Sequence, residues 1–185
     1  MADRIYEWAT LNNEEIARLD RLQTVILLPI GHTQQHGAHL PQGTTSFAVQ
    51  RIVQETATLL TLTERTRHVV ILPRLDYGAD PVELKKGTAY KGTSSLTIRP
   101  QTLEAIVTDL TEGVVRNGFR YLFTIGHHAG PAHCRAIQKA LEGVVRRFPA
   151  LIAEDVFSYL YAGAAANAAP DLRTLAKRRV SPIEQ

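Results

Sequence analysis

Five side chains suited to ligand or metal chemistry fall within eight residues: His32, Gln34, Gln35, His36 and His39. A second group follows much later in the chain, His127, His128 and His133. Neutral imidazoles bind divalent metals through a ring nitrogen and move protons near neutral pH, while amides offer hydrogen bonds to a polar ligand. Two histidines alone hold a metal weakly, and a catalytic zinc needs three protein ligands and an open position. The histidines therefore suit either a mononuclear His-rich site or a metal-free polar pocket. In the bland version of the second case His39 and His128 shape the loops through backbone hydrogen bonds, His133 sits on a helix surface and His32 fills space. Cys134 adjoins His133, but helix neighbours point apart, so a thiolate–imidazole pair is not expected and a buried helix-face cysteine is. Gly126 to Gly130 could offer amides to an anion, though Pro131 removes a donor and the pattern is not a P-loop. No spacing argument brings Asp76, Asp80 or Glu83 to the site.

Both histidine groups must be positioned by the elements that precede them. Val25 to Leu28 is apolar without a break, as a strand covered on both faces is, and it empties through Pro29 and Gly31 into the first group. Gly37 and Gly43 let the loop bend. Val49, Val53, Ala57 and Leu60 recur at helical spacing, so a helix is expected from near Ser46. His68 to Pro73 reads as a second strand, with His68 exposed or capping. A helix begins at Pro100, carries Leu103, Val107, Leu110 and Val114 on one face and ends at Gly118. Arg120 to Ile125 is a third strand, emptying into Gly126 to Pro131 and then a helix with Cys134, Ile137, Leu141 and Val145 inward. Asn12 to Leu22 reads as a short helix with Ile16, Leu19 and Leu22 facing the core, Asn12 or Asn13 as cap and Glu14 and Glu15 in the first turn. Leu151 to Leu160 reads as a last strand or strand-turn. Ala162 to Ala169 fits helix or linker, and the tail from Asp171 reads as polar and disordered. Strands alternating with helices imply an α/β fold, a three-layer sandwich with a mostly parallel sheet, in which right-handed crossovers place the strand C-terminal ends, and both histidine groups, on one edge.

The 185 residues, 44% apolar and 21% charged, suit one globular domain. A net charge of +3 with only Lys177 to Arg179 clustered, and no interleaved aromatics, argues against nucleic acid. One cysteine excludes an internal disulfide and fits a reducing cytoplasm. No apolar run approaches the roughly 18 residues of a membrane span, and no signal core stands at the N-terminus. A cytoplasmic location is expected.

Pro29 to Thr45, read PIGHTQQHGAHLPQGTT, resembles the loop Pro-x-Gly-Ser-x-Glu-Gln-His-Gly-x-His-Leu-Pro-x-x-Thr-Asp of the creatininase (creatinine amidohydrolase) family. Tyr90 to Leu96, YKGTSSL, is similar to that family's Phe-Pro-Gly-Thr-Ile-Ser-Leu segment, and Ile125 to Gly130, IGHHAG, to its Asn-Gly-His turn. The resemblance covers about residues 22 to 150. The family's later His-x-Gly-Glu segment has no counterpart here, and the chain reads as shorter than typical members.

The resemblance implies a creatininase-like fold, association into oligomers and a pair of divalent metals. It also places the departures. Of five ligand positions, His36 and His127 remain, while the two Glu and the bridging Asp are replaced by Gln34, Ala129 and Thr45. Two adjacent divalent cations need anionic oxygen between them, which neither an amide nor a hydroxyl supplies. Two readings of different kind result. In one, the chain is a non-catalytic structural, regulatory or ligand-binding subunit, assembled with itself or with an active homologous subunit, its pocket of Gln34, Gln35 and Thr45 taking a small polar ligand. In the other, a single zinc or manganese on His36, His127 and a further histidine, His32 foremost, cleaves a cyclic amide, with His128 and His39 as proton shuttles.

Overall fold

The computed structural model describes residues 4–62, 68–80 and 95–165, the side chains of 161–165 excepted. Five strands form one sheet: β1 (Ile5–Glu7), β2 (Thr24–Ile30), β3 (His68–Ile71), β4 (Tyr121–Gly126) and β5 (Ile152–Asp155). Their order is β1-β3-β2-β4-β5 and every pairing is parallel. The helices are α1 (Asn13–Arg18), α2 (Thr44–Thr61), α3 (Pro100–Arg116), α4 (Pro131–Arg147) and α5 (Val156–Ala165). The expected α/β architecture is what forms, because β2, buried at all seven positions, is covered on both faces.

Alternation along β2 sends its side chains into two cores. Val25 and Leu27 join Val53 and Ala57 of α2, Val69, Ile71 and Ile125. Ile26, Leu28 and Ile30 join Leu103 and Val107 of α3 and Ile137, Leu141 and Val144 of α4. The crossover after β2 thus runs on one face and that after β4 on the other. Where connections diverge between neighbouring strands, a crevice opens at the strand ends, the usual ligand position in such sheets. Here it lies between β2 and β4, from which both histidine loops leave. Among the described residues no helix is long and apolar enough to cross a membrane.

Several local expectations change. β1, unforeseen in a three-residue segment, pairs Ile5 with Val69 and Glu7 with Ile71 at the sheet edge. The capping box of α1 forms as its sequence suggests, Asn12 accepting from Glu14 and Glu15 while Glu15 accepts from Asn12. That helix nevertheless stops at Arg18, because Leu19 is extended, and Leu22 is 57% exposed instead of in the core. The Arg21 guanidinium then donates to the carbonyls of Ile16 and Leu19 and lies over the Phe119 ring, 4.4 Å from its centre. Leu110, placed inward by spacing, is 37% exposed. Leu151 to Leu160 holds both a strand and the start of a helix, with the Asp155 carboxylate accepting from Ser158 N at 3.0 Å over the first turn. Most of Tyr90 to Leu96, Glu83, the alanine run after Ala165 and the basic Lys177 to Arg179 lie outside the described residues.

Candidate functional site

The loop after β2 is anchored along its length. Gly31 N donates to Leu75 O at 2.7 Å, and a side chain there is impossible, since a Cβ would lie 2.3 Å from Ser46 Oγ and 2.8 Å from Ser46 Cα. Thr33 bonds Asp76 O through both its amide (2.9 Å) and its hydroxyl (2.8 Å), and Gln35 N donates to Ser95 Oγ. Gln34 N donates to Gln42 O across the loop. Gln35 Oε1 accepts from Gly37 N, with Gly37 at φ 75° as its place in the bend requires. Asp76 is gripped by Arg74. Burial raises the carboxyl, but the hydrogen bonds and the charge of Arg74 outweigh it and hold it below its usual range.

At the start of α2 three side chains close on one another. His36 Nδ1 lies 2.9 Å from Gln34 O, Thr45 Oγ1 lies 3.2 Å from His36 Nε2, and Gln34 Nε2 makes a long contact of 3.5 Å with Thr45 Oγ1. The hydrogens follow from the chemistry. A carbonyl only accepts, so Nδ1 carries the proton of the neutral ring, and Nε2 is left as a lone pair that can only receive the Thr45 hydroxyl hydrogen.

A second group forms where the two histidine loops meet. His32 and His128 pack edge to face with ring centres 4.6 Å apart, His128 and His133 likewise at 4.9 Å, and His32 and His133 are parallel at 6.3 Å. His32 is 0% and His133 1% exposed. Burial, then the neighbouring His128 charge, lowers His32 to about 4 against an opposing pull from Asp80. Burial, then His128 and His32, lowers His133 to about 3. Both rings are neutral at neutral pH. Ala79 N donates to His133 Nδ1 at 3.2 Å, which puts the proton of that ring on Nε2. Among the described residues, both His32 nitrogens and His133 Nε2 are buried without a hydrogen-bond partner.

The candidate residues are therefore distributed. Gln34, His36 and Thr45 meet in the first group, and His32 and His128 in the second. His127 is exposed, its ring edge-on to Phe157 of α5 at 6.0 Å, and His39 is exposed over Gly37. Gln35 spends its carbonyl on the loop. Among the described residues no three His, Cys, Asp or Glu side chains are placed to hold one metal ion. At the five positions that the loop resemblance marks as ligands stand an amide, an imidazole with its lone pair engaged, a hydroxyl, an exposed imidazole and a methyl, a set with no anionic oxygen and therefore a poor fit to a pair of divalent metals.

Sequence reasoning misplaced His133 and passed over Asp80. The buried face of α4 is His133, Ala136, Ile137, Ala140, Leu141 and Val144, one residue out of phase with the stripe through Cys134 and Val145. His133 begins an i, i+3, i+4, i+7 series, and that spacing was the signal for its burial. Cys134 is half-buried instead, its thiol bonded to His128 O at 3.5 Å and pushed up chiefly by burial, as an inert thiol is. Asp80 has no sequence signal, since only the fold of the loop after β3 carries it towards His32.

The sequence profile of the creatininase family, creatinine amidohydrolase, matches residues 9–179. No curated protein matches the chain. Among solved structures, a creatinine amidohydrolase (creatininase) is 19% identical with a TM-score of 0.64, over 87% of this chain and 61% of its own. A putative creatinine amidohydrolase from Bacteroides fragilis NCTC 9343 is 22% identical with a TM-score of 0.63, over 85% and 58%. A glutamate-to-glutamine variant of creatininase, of Zn-Zn type, is 18% identical with a TM-score of 0.63, over 83% and 59%, and a manganese creatininase is also similar. The chain thus spans about three fifths of the length of these structures, whose likeness concerns the fold. With nearly its whole length matched by the family's profile and its sheet shared with the family's structures, the chain belongs to the creatininase family.

Proposed function

We propose that this chain is a non-catalytic member of the family, a cytoplasmic structural, regulatory or ligand-binding subunit that associates with itself or with an active homologous subunit. The observation that carries the reading is the Thr45 hydroxyl on His36 Nε2. A metal at that position needs the same lone pair, and the neighbouring Gln34 and Thr45 bring no negative charge to offset two cations. What the crevice retains is a set of neutral hydrogen-bonding groups suited to a small polar ligand.

The test is metal content and turnover of protein purified without chelator or metal-affinity resin. Mass spectrometry is expected to find zinc and manganese well below one per chain, with no hydrolysis of creatinine or other cyclic amides. Near-stoichiometric metal with turnover lost in a His36→Ala, His127→Ala variant would overturn it. The second reading, a mononuclear amidohydrolase using zinc or manganese, draws support from the unpartnered nitrogens of His32. It would require His32 and His36, which pack in separate groups, to turn towards one ion.

A further inference from the structure

We infer that Thr45 is a positioning residue whose buried hydroxyl ties the loop from Thr33 to Gly43 onto the first turn of α2 and closes His36 to divalent cations. The inference rests on the non-catalytic reading and goes beyond it, because it assigns Thr45 a task.

Thr45 is 3% exposed, the second residue of α2. Its helix has no side-chain cap, with Gly43 at the N-cap, so the hydroxyl is not spent on the helix end. It points to His36, nine positions earlier, and donates the only hydrogen available between Oγ1 and Nε2. His36 in turn donates from Nδ1 to Gln34 O, and Gln34 N is bonded to Gln42 O. Thr44 adds a hydroxyl bond to Pro41 O at 2.7 Å. The loop is thus closed by backbone at its base and by Thr45 through its interior. The long Gln34 Nε2 contact adds little, since a 3.5 Å separation lies beyond the usual range for N–H···O.

A specific physical consequence separates this role from general packing. In a ring whose Nδ1 is pinned to a carbonyl and whose Nε2 is held by a hydroxyl, one tautomer dominates. Removing the hydroxyl while keeping the shape leaves Nε2 without its donor and loosens the loop by about one hydrogen bond.

The test uses the full chain in three forms: wild type, Thr45→Val, which keeps volume and loses the hydroxyl, and Thr45→Ser, which restores it. Imidazole nitrogen resonances of the wild type are expected to show His36 protonated at Nδ1, with both tautomers in Thr45→Val and a return in Thr45→Ser. Amide exchange across residues 33–43 is expected to quicken about tenfold in Thr45→Val, the loss of roughly one hydrogen bond. Zinc ions should leave the wild-type melting temperature unchanged and raise it in a Gln34→Glu, Thr45→Asp variant, where carboxylates replace the neutral pair. An Nε2-protonated His36 in the wild type, unchanged exchange in Thr45→Val, or a zinc-dependent rise in the wild type lost on His36→Phe would each overturn the assignment. Turnover without any of these would overturn the non-catalytic reading alone.

Discussion

The amide of Ala79, in the loop after β3, donates at 3.2 Å to Nδ1 of His133 in the first turn of α4, and both residues are buried. This bond joins a loop from one half of the sheet to a helix from the other. It also makes His133 an acceptor at one end and an N–H donor at the other. Replacing His133 with Leu leaves the Ala79 amide buried without a partner, which costs about 1–3 kcal/mol. Urea unfolding should show the unfolding free energy falling by that amount, with the midpoint moving to lower urea. A variant as stable as wild type would mean that the amide finds another acceptor.

Acidification should destabilise the fold before any carboxylate is reached. In the unfolded chain the histidines titrate near 6.5, while in the native state His32 and His133 hold out to about 4 and about 3. As pH falls below about 6.5 the unfolded state takes up protons that the native state refuses, so stability drops by about 1.4 kcal/mol per pH unit for each ring. The loss ends for His32 near 4 and for His133 near 3, where the native rings protonate too. Asp76, held below its usual range, adds its own loss only at lower pH. Urea denaturation at pH 7 and pH 5 measures the slope, and His32→Phe should reduce it. Equal stability at the two pH values would contradict the burial of neutral rings.

Asp155 is expected to matter for stability out of proportion to its position near the sheet edge. Its carboxylate is 4% exposed and accepts from Thr124 Oγ1 at 2.6 Å and Ser158 N at 3.0 Å. Asp155→Ala removes the cap of α5 and strands a buried hydroxyl, for a loss of about 2–3 kcal/mol. Asp155→Asn, which can keep its one oxygen on Ser158 N and turn its NH2 to donate to the Thr124 hydroxyl oxygen, should lose less. Comparable losses in the two variants, measured by thermal unfolding, would show that charge and not hydrogen bonding is what counts.

Gly31→Ala should disrupt the loop from its root. The added methyl would meet both the hydroxyl and the Cα of Ser46, and backbone on a packed helix does not give way cheaply. A destabilisation of about 1–3 kcal/mol is expected, with changed amide shifts along residues 31–45. Wild-type spectra in this variant would mean that α2 is free to move outward.

Legibility in the sequence followed the strength of the physical signal. Val25 to Leu28 announced a strand covered on both faces and Arg120 to Ile125 a further strand, and the resulting topology correctly brought the two histidine loops to one edge. β1 went unseen because Ile5, Tyr6 and Glu7 lie partly open at the sheet edge and carry no period. The capping box at Asn12 marked where α1 begins, but nothing local marked its end, which Arg21 and Phe119 define from a distance. At the site, Gln34, His36 and Thr45 were legible as a group because the loop motif supplied them together. His32, His128 and His133 were not, since their contact depends on the phase of α4 and on the close approach of Gly78, whose backbone leaves no room for a Cβ beside the His32 ring.

Among the described residues every strand pairing is parallel and no hairpin occurs, and the histidine crevice sits at the end of the β2–β4 seam that pairs Ile30 with Gly126. Closing that seam encloses α2, β3 and α3 in one long loop, whose entropy must be spent before the contacts across it form. A nascent chain that has not yet emitted β4 therefore owns half of the crevice and none of its shape. Any ligand that the crevice holds would reach only the finished domain, so binding would report on completed folding and favour it over every earlier form.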